Sequence, residues 1–341
     1  MLEMLEKLCA AAGVSGAETA AAETARELLS RYASGASVDK FGCVHGFIGS
    51  RDNGKPTVML EAHIDEIGFI VTYIDEDGFL RVGQCGGTDR RLYAAQTVTV
   101  HTDSGDIRGV ICTLPPHVAS DSSKTMKTEE IAIDVGFPSR EAAAAHVSPG
   151  DRVTIDNTPA KLCGTRVTAK AIDDRAGVAA MLYALELVKD KTLSYNVEVL
   201  FASQEEVGSR GAVIGAFDSR ADIALVTDVS FAYTPDDKKQ DCGEMGKGAM
   251  IGISPVLDRE VTAELKKLAA DKKIPCQYEV MGRDTGTDAD DISVSHGGIR
   301  TGLISIPQKY MHTPVEIVDT ADIEAVSRLV AAFLTGGECD V

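Results

Sequence analysis

The stretch Val197-Glu198-Val199-Leu200-Phe201-Ala202, running straight into Ser203-Gln204-Glu205-Glu206-Val207-Gly208, decides the fold reading. Its first half is an apolar run that reads as a strand over 195–202, and its second half ends that strand in two adjacent glutamates. A helical pattern over 175–190 precedes it, and a second short strand, Ala224 to Thr227, ends at Asp228. A helix over 259–272, a strand over 302–306 and a helix over about 320–333 follow, so helix and strand alternate as in an α/β domain.

Working toward the N-terminus, Leu2, Leu5 and Leu8 mark a first helix within 1–12. Ser15-Gly16-Ala17-Glu18 has the capping-box pattern and announces a second helix, to about Tyr32. Strand-like text covers 37–48, and Asp52-Asn53-Gly54 turns the chain into a strand from Thr57. From about Glu66 to Cys163 the character changes to short alternating runs, such as 68–74 and 96–102, broken by Gly/Asp turns, with one helix near 139–146. The reading is therefore one α/β domain formed by residues 1–65 and 164–341, interrupted by a β-rich domain at 66–163.

With 341 residues the chain can bury a full core. Acidic residues outnumber basic ones by 52 to 34, and the resulting charge of −18 repels phosphate backbones and anionic lipid. Nucleic-acid and membrane-surface binding are thereby disfavoured. The eight cysteines are scattered, and no two stand in a C-x-x-C arrangement. Buried free thiols in a reducing compartment are expected rather than disulfides or a zinc ribbon. Neither a signal peptide nor an apolar run long enough to span a bilayer is read, so a cytoplasmic protein is expected.

The chemistry-bearing residues gather at the ends of these elements. Strand 57–61 runs into Ala62-His63-Ile64-Asp65, strand 195–202 into Glu205-Glu206, and strand 223–227 into Asp228. His312 follows strand 302–306, and Asp173-Asp174 opens the helix after the β-rich segment. Ligands of open α/β sheets bind beyond the carboxyl ends of the strands, where such side chains converge. Two imidazoles and several carboxylates there are the donor set of divalent cations. Taken singly, each piece has an ordinary reading: His63-x-Asp65 as a hydrogen-bonded pair, Asp173 as a helix cap, His312 as a turn residue. Jointly the metal reading leads. His45, His101 and His146 fit surface or core packing, His117 a turn and His296 a loop. The acidic group Asp288, Asp290 and Asp291 has the look of a solvated turn.

The motifs AHIDEIG (from Ala62), AKAIDDRAGV (from Ala169), QEEVGSRGA (from Gln204), TDVS (from Thr227) and YMHTP (from Tyr310) resemble, in order, those of the M42 dinuclear metallo-aminopeptidases. Pro115-Pro116-His117 and Gly286-Thr287-Asp288-Ala289 extend the match. Thr313, where the family often has Ser, and the residue after Gly86-Gly87 depart from it. The resemblance implies a zinc-exopeptidase-like α/β sandwich carrying an inserted PDZ-like dimerisation domain. It also implies dimers assembling into a dodecamer, and peptide substrates with a free N-terminus. His63 and His312 would each bind one of two divalent ions (zinc or cobalt, with manganese as a further option), bridged by Asp173. Glu206 and Asp228 would complete the ligands, Asp65 would orient His63, and Glu205 would be the general base for a metal-activated water. Two adjacent glutamates project differently, so one can hold a metal while its neighbour reaches the water. The alternatives are a related metal-dependent carboxypeptidase or deacylase, a glycoside hydrolase using Glu205 and Glu206, and a non-catalytic scaffold. Adjacent glutamates suit the glycosidase badly, because its two carboxylates stand about 5 Å or more apart across the sugar bond.

Overall fold

A computed structural model describes residues 1–50, 53–115, 117–118 and 125–338 of the chain; Asp52 of the anticipated turn, Pro116 and Cys339 lie outside them. The strands are β1 (Ser34–Val38), β2 (Val44–Ile48), β3 (Thr57–His63), β4 (Gly68–Ile74), β5 (Leu80–Cys85), β6 (Thr97–Thr102), β7 (Gly105–Ile111), β8 (Ala132–Asp134) and β9 (Arg152–Ile155), then β10 (Ala160–Lys161), β11 (Arg166–Ala169), β12 (Asn196–Ala202), β13 (Ile223–Phe231), β14 (Ala249–Ile253), β15 (Cys276–Val280), β16 (Arg300–Lys309) and β17 (Glu316–Asp319). The helices are α1 (Leu2–Ala10), α2 (Thr19–Leu29), α3 (Arg140–Ala144), α4 (Ile172–Val188), α5 (Arg210–Asp218), α6 (Arg259–Asp271), α7 (Ala289–Val294) and α8 (Thr320–Leu334).

Eleven strands form one mixed sheet in the order β1-β2-β12-β3-β13-β16-β17-β11-β10, with β14 and β15 branching from β16. Its centre is parallel: β12 on β3, β3 on β13 and β13 on β16. The period-2 alternation of these strands feeds two layers. Val58, Leu60 and Ala62 of β3 point into the core shared with α1, α2, α4 and α8, while Met59 points into the smaller core under α5 and α7. Helix α4 is apolar nearly all round and is buried along almost its whole length. Each fully buried leucine there, such as Leu182, contributes about 1.5–3 kcal/mol. Helices α6 and α8 begin where Asp258 and Asp319 accept N–H bonds of the first turn.

Strands β4-β5-β8-β7-β6-β9 close into a small barrel with its own core, including Phe69, Leu80, Val100, Ile133 and Val153. Tyr93 closes that core by meeting Phe69 edge-on, ring centroids 5.1 Å apart.

Several local expectations are corrected. The strand-like text over 37–48 is a hairpin, because Asp39 accepts the N–H groups of Phe41 and Cys43 and bends the chain between β1 and β2. Ser15 does not cap α2; its hydroxyl donates to Asp65 at 2.6 Å. Strand β13 does not stop before Asp228 but continues to Phe231, paired residue by residue with β16. The seven described cysteines are unpaired; Cys9, Cys43 and Cys85 are buried, Cys112, Cys242 and Cys276 half-buried, and Cys163 exposed. No helix among the described residues is long and apolar enough to cross a membrane.

Candidate metal centre

The parallel register places the chemistry. His63 ends β3 beside Ala202 of β12, so the loop carrying Glu205 and Glu206 leaves the sheet next to it. Asp228 on β13 stands opposite Ser305 on β16, one strand further across the sheet. A cavity of about 420 Å³ opens over these strand ends, and His63, Asp173, Glu205, Glu206, Asp228 and His312 all line it.

Asp173 sits between the two histidines. Its Oδ1 lies 3.1 Å from Nε2 of His63, and its Oδ2 lies 3.4 Å from Nε2 of His312. His312 Nε2 is 3.5 Å from Glu206 Oε2, and His63 Nε2 is 3.9 Å from Asp228 Oδ1. Donor atoms of His63, Asp173 and Glu206 fall within 4.8 Å of one another. Asp173 is not the helix cap: Asp174 takes that role, accepting the N–H of Gly177 at 2.9 Å, which leaves the Asp173 carboxylate free to face the cavity.

Asp65 is fully buried, and it ties the glutamate loop to Ser15. Oδ1 accepts the N–H of Glu205 at 2.9 Å, and Oδ2 accepts that of Glu206 at 3.2 Å together with the Ser15 hydroxyl. Its contact with His63 Nδ1, at 3.5 Å, is long for a hydrogen bond.

Residues that sequence reading passed over complete the frame. Glu316, buried at the start of β17, accepts the N–H of Asp173 at 3.1 Å and that of His312 at 3.0 Å. Its only sequence signal is its place four residues after His312. The barrel also reaches the site: a Cβ on Gly87 would lie 3.1 Å from His312 Nδ1, and one on Gly86 would lie 3.0 Å from Glu206 Oε2. The backbone takes the left-handed region at Ala171, Gln204, Tyr310 and His312, all at or next to the clustered residues. Non-glycine residues pay about 1–2 kcal/mol for that region, so the surrounding contacts hold these turns in place.

The electrostatics are those of a crowded anion site. Burial pushes Glu205 up to about 7 and Glu206 up to about 8, and it pushes Asp228 well above the carboxylate range. Burial also disfavours ionised Asp173, yet hydrogen bonds from His312 and His63 hold its carboxyl below the usual range. Burial disfavours a charged His312 too, but Asp173 and Glu206 push it up to about 9. No Lys or Arg lines the cavity among the described residues. Two imidazoles and four carboxylates, crowded together without a lysine or arginine, are a donor set that divalent cations fit.

The other residues considered lie elsewhere. His45 pairs with Asp39, His101 with Asp106 and Thr154, and His146 stacks on Phe137. His117 is exposed, and His296 packs edge-on to Phe217 on an exposed turn. Asp290 caps its own turn by accepting the N–H groups of Thr285 and Gly286. Asp288 does not belong to a solvated turn: it is 2% exposed, and burial pushes it up to about 6.

The M42 glutamyl aminopeptidase family model matches residues 42–329. The chain is 32% identical over 340 residues to the lysyl aminopeptidase of Pyrococcus furiosus, covering 97% of this chain and 96% of that one. An aminopeptidase from the archaeon Desulfurococcus kamchatkensis superposes with a TM-score of 0.91 at 36% identity, over 98% of this chain and 94% of that one. The TET1 peptidase of Pyrococcus horikoshii, which can assemble into a tetrahedron or a large octahedral shell, superposes with a TM-score of 0.86 at 30% identity, over 98% of each chain.

Proposed function

The chain belongs to the M42 peptidase family and is an aminopeptidase, and on that premise we propose that it removes N-terminal residues from peptides at the cavity over β3, β12 and β13, using two divalent ions and Glu205 as general base. The observation that carries this reading is Asp173, with one carboxylate oxygen toward each histidine. His63 and Asp228 would hold one ion, His312 and Glu206 the other, and Asp173 both. When bound, the ions supply Lewis acidity that polarises the scissile carbonyl and makes water more acidic.

The chain's own residues do the rest. Glu205 takes a proton from the attacking water as the oxygen bonds to the carbonyl carbon. It delivers that proton to the amine nitrogen as the C–N bond breaks. In the metal-free protein its carboxyl, pushed up by burial to about 7, lies in the range that suits a proton carrier at neutral pH. Asp65 fixes the backbone of both glutamates, and Glu316 fixes that of Asp173 and His312.

Zinc or cobalt suits the two imidazoles, and manganese the carboxylate-rich remainder. Residues 1–65 and 164–341 would act as the catalytic domain and 66–163 as a PDZ-like dimerisation domain, with dimers closing into a homododecamer. The tetrahedron or octahedral shell that the TET1 relative can form supports the closed assembly in that reading. Unpaired cysteines support a cytoplasmic location. The family description speaks of glutamate and the Pyrococcus furiosus relative of lysine, so neither carries an N-terminal preference across.

Hydrolysis of aminoacyl-p-nitroanilides by metal-reconstituted protein, beside N-acetylated controls, tests the assignment. Free-amine substrates should be cut and blocked ones spared. Equal cutting of both would move the related deacylase reading ahead.

A further inference from the structure

Beyond the candidate ligands and Glu205 the cavity holds one more carboxylate. Glu279 projects from β15, and its two oxygens accept the hydroxyls of Ser230 and Ser305, the latter at 2.9 Å. These serines stand on β13 and β16, so two strands of the sheet aim the carboxylate at one place. Ser230 lies two residues beyond Asp228 on the same strand face, about 7 Å along β13. Ser305 stands opposite Asp228 itself, so Glu279 borders the ligand cluster and reaches from it toward Ser230, within one side-chain length.

Two neutral hydroxyls leave half of the lone-pair sites of this carboxylate open and none of its charge balanced. No lysine or arginine lines the cavity among the described residues. The clustered carboxylates have two histidines and the expected cations facing them, whereas Glu279 has neither. Val229, Phe231, Leu303 and Met311 give the same cavity an apolar share of its lining, beside the hydroxyls of Ser230, Ser305, Thr285 and Thr287. An unbranched methylene stem can lie along such walls while its charged end reaches a polar group. Phe231 adds an aromatic face of the kind that attracts ammonium and guanidinium groups.

We propose that Glu279 is the specificity residue of this aminopeptidase and that the pocket selects peptides whose N-terminal side chain is a long cation, lysine or arginine. This rests on the aminopeptidase reading, and the N-terminal residue is the one whose side chain enters the pocket.

The test compares kcat/KM of the metal-loaded, full-length protein for lysyl- and norleucyl-p-nitroanilide, which differ chiefly in the terminal ammonium. The wild type should favour lysine by about ten- to a hundredfold, the range of a charge-assisted contact. In Glu279→Gln that ratio should fall to near one. A wild-type ratio near one overturns the proposal. So does a Glu279→Gln variant that lowers both substrates in step, which would assign Glu279 to the α-amine or to the fold. Binding of L-lysinamide against L-norleucinamide, followed by calorimetry, reads the pocket without turnover. If the protein proves to cut only blocked substrates, the aminopeptidase reading fails. A lysinamide preference lost in Glu279→Gln would then still uphold the pocket, and its absence would overturn that as well.

Discussion

Asp65 accepts the backbone N–H of Glu205 at 2.9 Å, tying the residues that follow β3 to the loop that leaves β12. The candidate site is thus built from backbone positions fixed by buried carboxylates, with the side chains that line the cavity projecting from them. Asp65 does this for Glu205 and Glu206, and Glu316 does it for Asp173 and His312.

Asp65→Ala would leave three donors without their acceptor: the buried Ser15 hydroxyl and the half-buried N–H groups of Glu205 and Glu206. Each unsatisfied donor costs about 1–3 kcal/mol, so a chemical-denaturation midpoint should fall clearly. A slackened glutamate loop should also lower kcat by about a hundredfold. Asp65→Asn keeps one acceptor oxygen and should fall between the two. Wild-type kcat in Asp65→Ala would show that the loop holds itself.

Glu316→Gln replaces one acceptor oxygen by an NH2 group that faces a backbone donor. The Asp173 and His312 backbones then lose one of their two anchors. Metal affinity should drop by about ten- to a hundredfold, as for other groups that orient ligands without touching the metal. Competition with a chromogenic chelator measures it.

Gly86→Ala tests the contact between barrel and site. Gly86 has φ +71°, and an added Cβ would lie 2.7 Å from Ile67 Cγ2 and 3.0 Å from Glu206 Oε2. The strained backbone costs about 1–2 kcal/mol, and Glu206 must move. Metal affinity and melting temperature should both decline, whereas Gly105→Ala, at a position with open space around it, should leave affinity alone.

The metal-free site has a defined pH response. Burial, with the Asp173 charge beside it, pushes Glu206 from its usual 4.5 up to about 8. His312 rises from 6.5 to about 9, because Asp173 and Glu206 outweigh its burial. Both groups keep their protons longer folded than unfolded, so their contribution to stability falls as pH rises from about 4.5 to 9. Cations need these groups deprotonated. Loading at pH 7 should therefore release protons, those of Glu206 and His312 among them, and affinity should climb toward pH 9. Titration calorimetry in buffers of different ionisation enthalpy counts those protons, and zero release would refute the electrostatic picture.

Much of this was legible in the chain because apolar periodicity and residue type are local signals. Strands such as β3, β4 and β12, and helices such as α6 and α8, could be read with their ends within a few residues. The residues placed at those ends, His63, Asp173, Glu205, Glu206, Asp228 and His312, converge on one cavity. What escaped was set by long-range pairing. Thr227-Asp228-Val229-Ser230 looks like a strand ending because polar residues cluster there after an apolar run, yet pairing with β16 carries the strand through to Phe231. Ser15 matches a capping box in text, but Asp65, fifty residues away, takes its hydroxyl. Glu316 and Glu279 carry no motif at all. Their roles come from which backbone or hydroxyl the fold brings within reach, and periodicity does not encode that.

The most direct measurement is Glu205→Gln, assayed for turnover and metal content in one preparation. Two ions retained per chain, with kcat lowered by about a hundred- to ten-thousandfold, is the result a general base requires. Full activity in that variant would contradict the base role, and a count other than two ions in the wild type would contradict the dinuclear site.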